Sequence, residues 1–342
     1  MRELVIVAAD LYLPREPGAH ELSLTLPALA HVARYATRER LAHGWRGWLA
    51  AWLGRGELAT AAPAALAAAG LLTASPGSRV WLAMPVHLTA TLTSVHLHPS
   101  GLLRLGPAAQ VELAASFDAE FASQGLRLMP LAAGGFLLEG LGGAAAHRAD
   151  PARYLGQSIV QAQPEGPGAA PLARIGAEIE MWLHQHTLNA ARVQARELPV
   201  SALWLWGAGS ALVPRSAANA AETSQAAVRL FGDDPSLAGL ARFGAAPLLP
   251  LEGALQAALA PRASPSAIVL EVFRSSVGEV SMTPLKLLEE FDRRWVAPAL
   301  AALRAGRLDS LSVLANDQRA NLSRGSHLRL WRRPRGALAA WR

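Results

Sequence analysis

An unbroken apolar run near the start of the chain, Leu4-Val5-Ile6-Val7-Ala8-Ala9, stops at Asp10. A strand that is apolar at every position can face water on neither side. It therefore belongs inside a parallel sheet whose two faces are covered by other layers. Sheets of that kind place their sites at the carboxyl ends of the strands, where Asp10 falls. The chain has the material for such a fold, since 51% of its 342 residues are hydrophobic and 17% charged, enough for a large core and for two domains. Cysteine is absent, which excludes disulfides, thiolate nucleophiles and Cys-ligated zinc or iron–sulfur sites.

Apolar residues at helical spacing, Leu26, Leu29, Ala30 and Ala33, with Pro27 in the first turn, predict a helix over Leu26–Arg40. Trp45, Trp48 and Trp52 follow at i, i+3 and i+7, one face of a second helix, and read as a packed core stripe. From Val80 the period becomes two: Val86, Leu88, Ala90 and Leu92 alternate with His87, Thr89, Thr91 and Thr93, as in a half-buried strand. A helix over Ala108–Gly125 and strands at Leu126–Met129 and Gly135–Glu139 complete a small α+β module at residues 80–160, with Pro- and Gly-rich Gln161–Pro171 as its exit linker. Beyond it come a helix at Ala173–His186, a buried strand at Ala202–Trp206 and a tight loop at Gly207-Ala208-Gly209. Strand and helix then alternate again, with Ala267–Phe273 and Leu311–Leu314 as strands and Pro284–Leu303 as a helix. The expected fold is α/β, a mostly parallel sheet with helices on both faces built from residues 1–79 and 161–342 and interrupted by the module at 80–160.

The net charge of +6 is unevenly placed: residues 1–317 hold 25 basic against 26 acidic residues. Past Asp317 there is no acid, while Arg319, Arg324, Arg329, Arg332, Arg333, Arg335 and Arg342 follow, with Trp331 and Trp341 among them. This tail reads either as a weak polyanion or nucleic-acid contact or as an ordinary arginine-rich terminus. The uncharged run Leu58–Ser78 is broken by Pro63, Gly70, Pro76 and Gly77, so no segment reads as membrane-spanning. Glu3 and Asp10 flank the first apolar run, unlike a signal peptide, and the chain is expected to be soluble and cytoplasmic.

Three constellations could carry chemistry. His96-x-His98 puts two imidazoles on one strand face, either two metal ligands or an ordinary exposed face. Glu180 and His184 stand at i, i+4 on one helical face, able to share a metal or simply to hydrogen-bond. The stretch from His184 to Gly209, HQHTLNAARVQARELPVSALWLWGAG, joins a helix end, an Asn189-x-x-Arg192 pair, a buried strand and a Gly-x-Gly loop. That layout could hold a small anion or phosphorylated metabolite; equally, Asn189 could cap a helix and Arg192 be a solvated charge.

The same stretch, His-x-x-Asn-x-x-Arg followed by Pro-Val-x-x-Leu-Trp-Leu-Trp-Gly-x-Gly, resembles the RpfE-type regulatory protein family, itself similar to archaeal-type cofactor-independent phosphoglycerate mutases of the alkaline-phosphatase superfamily. The resemblance implies an alkaline-phosphatase-like core with an inserted domain. In the mutases it also implies two metal ions, an Asp after the first strand, a serine nucleophile, and later Asp and His ligands. Asp10 matches the first ligand, and Gly44 and Leu53-Gly54 match the frame of the nucleophile, but Trp45 stands in the serine's place. Lys286, Glu289 and Asp292 match a helix that should follow an Asp-x-x-x-His segment, yet Arg274–Thr283 contains neither Asp nor His. Asp317 is kept with Gln318 in place of a histidine, and His327 matches the last ligand. Indole cannot accept a phosphoryl group, and Asp10, Asp317 and His327 make a poor di-metal site. The reading is therefore a non-catalytic regulatory or ligand-binding protein without a cofactor. The alternative is a phosphoglycerate mutase or phosphotransfer enzyme using a divalent metal such as Mn or Mg.

Overall fold

The computed structural model describes residues 2–12, 25–71, 74–132, 134–142, 146–212, 228–274, 284–328, 333 and 336–341, without the side chains of Pro284 and His327. The chain divides into two compact units: residues 1–60, 215–272 and 283–342 form the first, and residues 61–214 and 273–282 the second. The first unit opens with β1 (Glu3–Ala8), α1 (Pro27–Tyr35), β2 (Thr37–Arg40) and α2 (Gly44–Trp52). The second supplies α3 (Pro63–Leu71), β3 (Arg79–Ala90), β4 (Val95–Leu102), α4 (Pro107–Phe121), β5 (Arg127–Pro130), β6 (Phe136–Glu139), α5 (Ala169–Gln185), α6 (Thr187–Gln194) and β7 (Ala202–Ser210). The chain then returns to the first unit with β8 (Arg229–Gly232), α7 (Pro235–Phe243), β9 (Leu248–Leu249), α8 (Ala254–Ala258), β10 (Ser266–Leu270), α9 (Pro284–Phe291), a π turn at Asp292–Val296, α10 (Ala297–Arg304), β11 (Ser310–Ala315) and β12 (Gln318–Ser323).

Among the described residues, seven strands make the sheet of the first unit, in the order β2-β12-β11-β1-β10-β8-β9. Its centre is parallel: β1 runs alongside β10 and β11, and β10 alongside β8. Leu4 through Ala8 are fully buried. Because successive side chains of a strand point to opposite faces, the sheet is covered on both sides there, as the run at residues 4–9 requires. The helix expected to continue to Arg40 ends at Tyr35. Thr37–Arg40 instead forms β2, antiparallel to β12. Its Arg38, Glu39 and Arg40 give this outer strand the charged side chains that discourage edge pairing. Trp45 is 2% exposed, whereas Trp48 and Trp52 are only half-buried and stack with centroids 6.0 Å apart, so the tryptophan stripe is core at one position of three.

The second unit is larger than the module expected at residues 80–160. Its sheet has β3 at the centre, paired antiparallel with β4, β6 and β7, and β5 beside β6. β7 was expected in the parallel sheet; it joins this one, because a five-residue run that is apolar throughout fits a covered strand of either sense. The core gathers Trp81, Phe117, Phe136, Leu138, Ile175, Ile179, Leu183 and Leu205 from β3, β6, β7, α4 and α5. The expected half-buried alternation in β3 is absent: Val80 to Val86 are all buried, His87 and Leu88 are both half-buried, Thr89 and Ala90 are both exposed, and Leu92 beyond the strand is fully exposed. Nor is 161–171 a linker leaving the module: Glu165 and His147 exchange two backbone hydrogen bonds, of 2.8 and 2.9 Å, inside the unit. No helix among the described residues is long and apolar enough to cross a membrane.

Glu139 closes β6 with only 8% of its surface exposed, and its Oε1 accepts the Ser75 N–H at 2.8 Å. Burial alone would push its carboxyl up, but the Ser78 and Ser75 hydroxyls, the Ser75 N–H and, last, Arg127 hold it below the usual carboxylate range. A lowered carboxylate stabilises the fold above its unfolded pKa, and that stability is lost as pH falls from about 4 downward. Glu139→Gln should therefore lower the unfolding temperature at pH 7 and flatten its dependence on pH in that acid range. Unfolding scans that are superimposable with wild type across both ranges would show the carboxylate to be unimportant.

Candidate functional site

The parallel strands of the first unit end in acids: Asp10 two residues beyond β1, Asp233-Asp234 after β8, Glu271 after β10, and Asn316-Asp317 after β11. What the carboxylates do there is set by their partners. Asp10 is 6% exposed, and its Oδ1 accepts the Val272 N–H at 2.6 Å, tying the exit of β1 to the exit of β10. Asn316 sits in the left-handed region at φ 52°, in the tight turn from β11 into β12. Its Nδ2 donates to Leu11 O at 2.5 Å, and its carbonyl accepts from Trp45 N at 2.9 Å. Asp317 turns outward to Arg40 at 2.9 Å, on a surface where the Arg40 side chain is 81% exposed.

Trp45, in the first turn of α2, is held by that Asn316 carbonyl. Gly44 before it needs φ 63°, and a Cβ there would stand 3.4 Å from the same carbonyl oxygen. The indole Nε1 is buried without a hydrogen-bond partner. Arg46 lays its guanidinium 4.3 Å from the Trp45 ring centroid and reaches Asp234, Nη2 to Oδ2, at 2.7 Å; its Nε donates to Ser236 Oγ at 2.9 Å. Asp234 also caps α7, its Oδ1 accepting from Ser236 N at 2.9 Å and from the Ser236 hydroxyl. The side chains of Arg46 and Asp234 are 15% and 2% exposed, so this is a buried ion pair.

A pair of divalent metals needs several oxygen and nitrogen donors converging on each ion. Among the described residues no group of three or more His, Asp or Glu side chains is placed to hold a metal. Asp10 is bonded to a backbone N–H, Asp234 to a guanidinium and a helix N-terminus, and Asp317 to Arg40, so these residues do not fit the metals that the resemblance implies. The His327 side chain and residues 275–283 lie outside the described residues.

Of the two readings of Asn189 and Arg192, a small-anion site or a structural role, the contacts described are those of a brace. Asn189 donates Nδ2 to Leu183 O at 2.8 Å and to Val200 O at 2.9 Å, and its Oδ1 accepts Val200 N at 2.8 Å. Arg192 donates Nε to Leu198 O at 2.8 Å and pairs with Glu197 at 2.9 Å. These bonds fasten α6 to the end of α5, where Leu183 O also receives His186 N at 3.1 Å, and to the segment entering β7. The Gly-x-Gly loop is also structural. Residues 207–209 remain in β7, and a Cβ on Gly207 would stand 3.3 Å from Pro63, while one on Gly209 would come within 2.6 Å of the Ala62 Cβ. Glycine there lets the start of α3 pack directly on the strand.

The remaining candidates are also drawn into structure. His96 Nε2 lies 2.7 Å from Ser94 Oγ, and His98 stands 5.6 Å from the ring of His87 across the β3–β4 ladder; burial and then His87 lower the His98 pKa. Glu180 faces Arg148 rather than sharing a site with His184. Burial pushes the Glu180 carboxyl up against that attraction and lowers the Arg148 pKa to about 10. Ser116 Oγ and His186 Nε2 approach to 2.7 Å, a distance suited to nucleophile and base. His186 Nδ1, however, accepts Leu188 N at 3.1 Å as the cap of α6, so the ring proton is on Nε2 and points at the hydroxyl. A base would need the opposite tautomer. Arg46, Asp234, Ser236 and Asn316 were not singled out by sequence. Asp234-Pro235-Ser236 directly after an apolar run was the available signal, a helix cap at the end of a strand.

No family model matches the chain, and no curated protein does. Among solved structures it is similar to a cofactor-independent phosphoglycerate mutase from Thermoplasma acidophilum DSM 1728, at 16% identity over 95% of this chain and 90% of that one, with a TM-score of 0.41. It is also similar to the PH0037 protein from Pyrococcus horikoshii, at 11% identity over 94% of this chain and 87% of that one, with a TM-score of 0.45.

The buried ion pair makes a measurable claim. Arg46→Met strands the Asp234 carboxylate and should cost about 3 kcal/mol in urea unfolding, the usual penalty for removing one partner of a buried pair. A loss below about 0.5 kcal/mol would place the pair with exposed salt bridges.

Proposed function

We propose that the chain is a non-catalytic regulatory protein, RpfE-type, on a phosphoglycerate-mutase-like scaffold of the alkaline-phosphatase superfamily, and that it works without a metal cofactor. The observation that carries this reading is the engagement of Asp10, Asp234 and Asp317 with Val272 N, Arg46 and Arg40 at 2.6, 2.7 and 2.9 Å. Carboxylates that serve as metal ligands must keep their oxygens open toward a common point. Trp45 supports the same reading: a buried indole stands in the nucleophile frame, its backbone N–H bonded to the Asn316 carbonyl and its ring covered by Arg46. Asp292, which fits the mutase pattern of the Lys286 helix, accepts the Ala28 and Leu29 N–H groups at 3.3 and 2.6 Å and so caps α1. Burial raises its pKa against those two bonds.

Two arginines of the arginine-rich stretch, Arg319 and Arg324, have partners within the protein, while Arg333 is exposed. Arg319 pairs with Glu39 at 2.9 Å, and Arg324 binds Asp309 at 2.5 Å and the carbonyls of Leu308 and Gly306. Arg329, Trp331, Arg332, Arg335 and Arg342 lie outside the described residues. A polyanion contact at Arg319 and Arg324 would have to displace internal partners.

Restoring serine tests the reading. Trp45→Ser should destabilise the protein by about 3–5 kcal/mol, the cost of emptying a buried large side chain, and should show no turnover of p-nitrophenyl phosphate or phosphoglycerate with Mn or Mg added. Metal-dependent hydrolysis or mutase turnover by this variant would overturn the non-catalytic reading.

A further inference from the structure

In the second unit, α4 and α5 border an open trough of about 600 Å³. Its lining includes Glu120 and Phe121 from α4, Glu178, Met181 and Trp182 from α5, and His186 beyond it. The floor is aromatic and sulfur-bearing. Trp182 stands edge-on to Phe117 and Phe121, with ring centroids 5.6 and 5.9 Å away, and Met181 leaves 65% of its surface exposed. The walls are acidic, with Glu120 on one helix and Glu178 on the other. Glu112, farther up α4, raises the pKa of His186 against the larger effect of burial. In a chain of net charge +6, α4 and α5 carry Glu112, Asp118, Glu120, Glu178 and Glu180 against Arg174 alone. Arg174 stands 3.8 Å from Glu178, which also accepts from Gln124 at 2.9 Å, and Asp118 is bonded to Leu128 N.

We propose that this trough docks a basic amphipathic segment of a partner protein, with apolar side chains on Met181 and Trp182 and lysine or arginine side chains toward Glu120 and Glu178. Charge complementarity selects the occupant's sign: carboxylates on both walls attract a cationic segment and repel an acidic one. The shape selects its size. Small-molecule sites enclose roughly 70–90% of their ligand, which a trough open on one side does not, whereas a helix laid in a groove needs only one face covered. A flexible thioether beside an aromatic ring adapts to varied apolar anchors. The surface belongs to the second unit and does not depend on whether the strand ends of the first unit are catalytic.

The test is fluorescence anisotropy on the full chain with two labelled amphipathic peptides, one with leucine and lysine faces and its leucine–glutamate counterpart. The lysine peptide should bind, more weakly as salt rises, and the glutamate peptide should not. Glu120→Lys combined with Glu178→Lys should weaken binding by about tenfold or more. Met181→Ser, at an exposed position where no fold defect is expected, should weaken it independently. Absence of binding to the wild type, equal affinity in the charge-reversed variant, or complete displacement by spermidine would overturn the proposal. So would a self-associating chain whose dimer is abolished by Met181→Ser, since the occupant would then be a second copy.

Discussion

β1 is hydrogen-bonded in parallel register on both sides, to β10 and to β11, with Leu4 through Ala8 fully buried between them. A strand so placed cannot slip by one residue without exchanging the faces of its whole apolar set. Its register therefore fixes which residues emerge together at the carboxyl ends. Asp10 comes out beside Val272, and Leu11 beside Asn316, whose carbonyl in turn receives the first turn of α2 at Trp45. Each contact at this edge follows from that register.

Such an edge is the usual place for chemistry in parallel sheets. Here several of its polar groups engage protein partners, although Asn316 Oδ1 is buried without a hydrogen bond. Arg46 provides the positive charge opposite Asp234, stacks on Trp45 and reaches Ser236, so one side chain links α2, the end of β8 and the cap of α7. Low dielectric strengthens the pair and makes breaking it costly. The arrangement stabilises a fixed edge, in contrast to a metal site, where donors wait for an ion.

Much of the first unit was legible from residues alone. The strands expected at 4–9, 267–273 and 311–314 are present and stand side by side in the parallel sheet, with Glu271 just beyond the end of β10 and Ser312 buried within β11. What the sequence hid was partnership. Ala202–Trp206 has the same character, yet pairs antiparallel with β3 in the second sheet, since an all-apolar strand does not encode the sense of its neighbour. Asn189-x-x-Arg192 and Gly207-x-Gly209 looked like an anion site. Their side chains and their lack of side chains serve backbone closure and close helix–strand packing. Asn and Arg satisfy stray carbonyls as readily as they bind ligands, so only the position of Leu183, Leu198 and Val200 decides between the two roles. Trp45 was legible as a core residue; the Arg46–Asp234 pair beside it, joining residues 188 apart in sequence, was not.

The proposal that the chain works without metal rests on Asp10, Asp234 and Asp317 being engaged by protein partners. Elemental analysis of the purified full chain, after equilibration with Mn and Mg and removal of free ions, measures this directly. The expected result is no retained ion and no change in unfolding temperature on adding either metal. Two ions retained per chain, lost in Asp10→Ala, would contradict it.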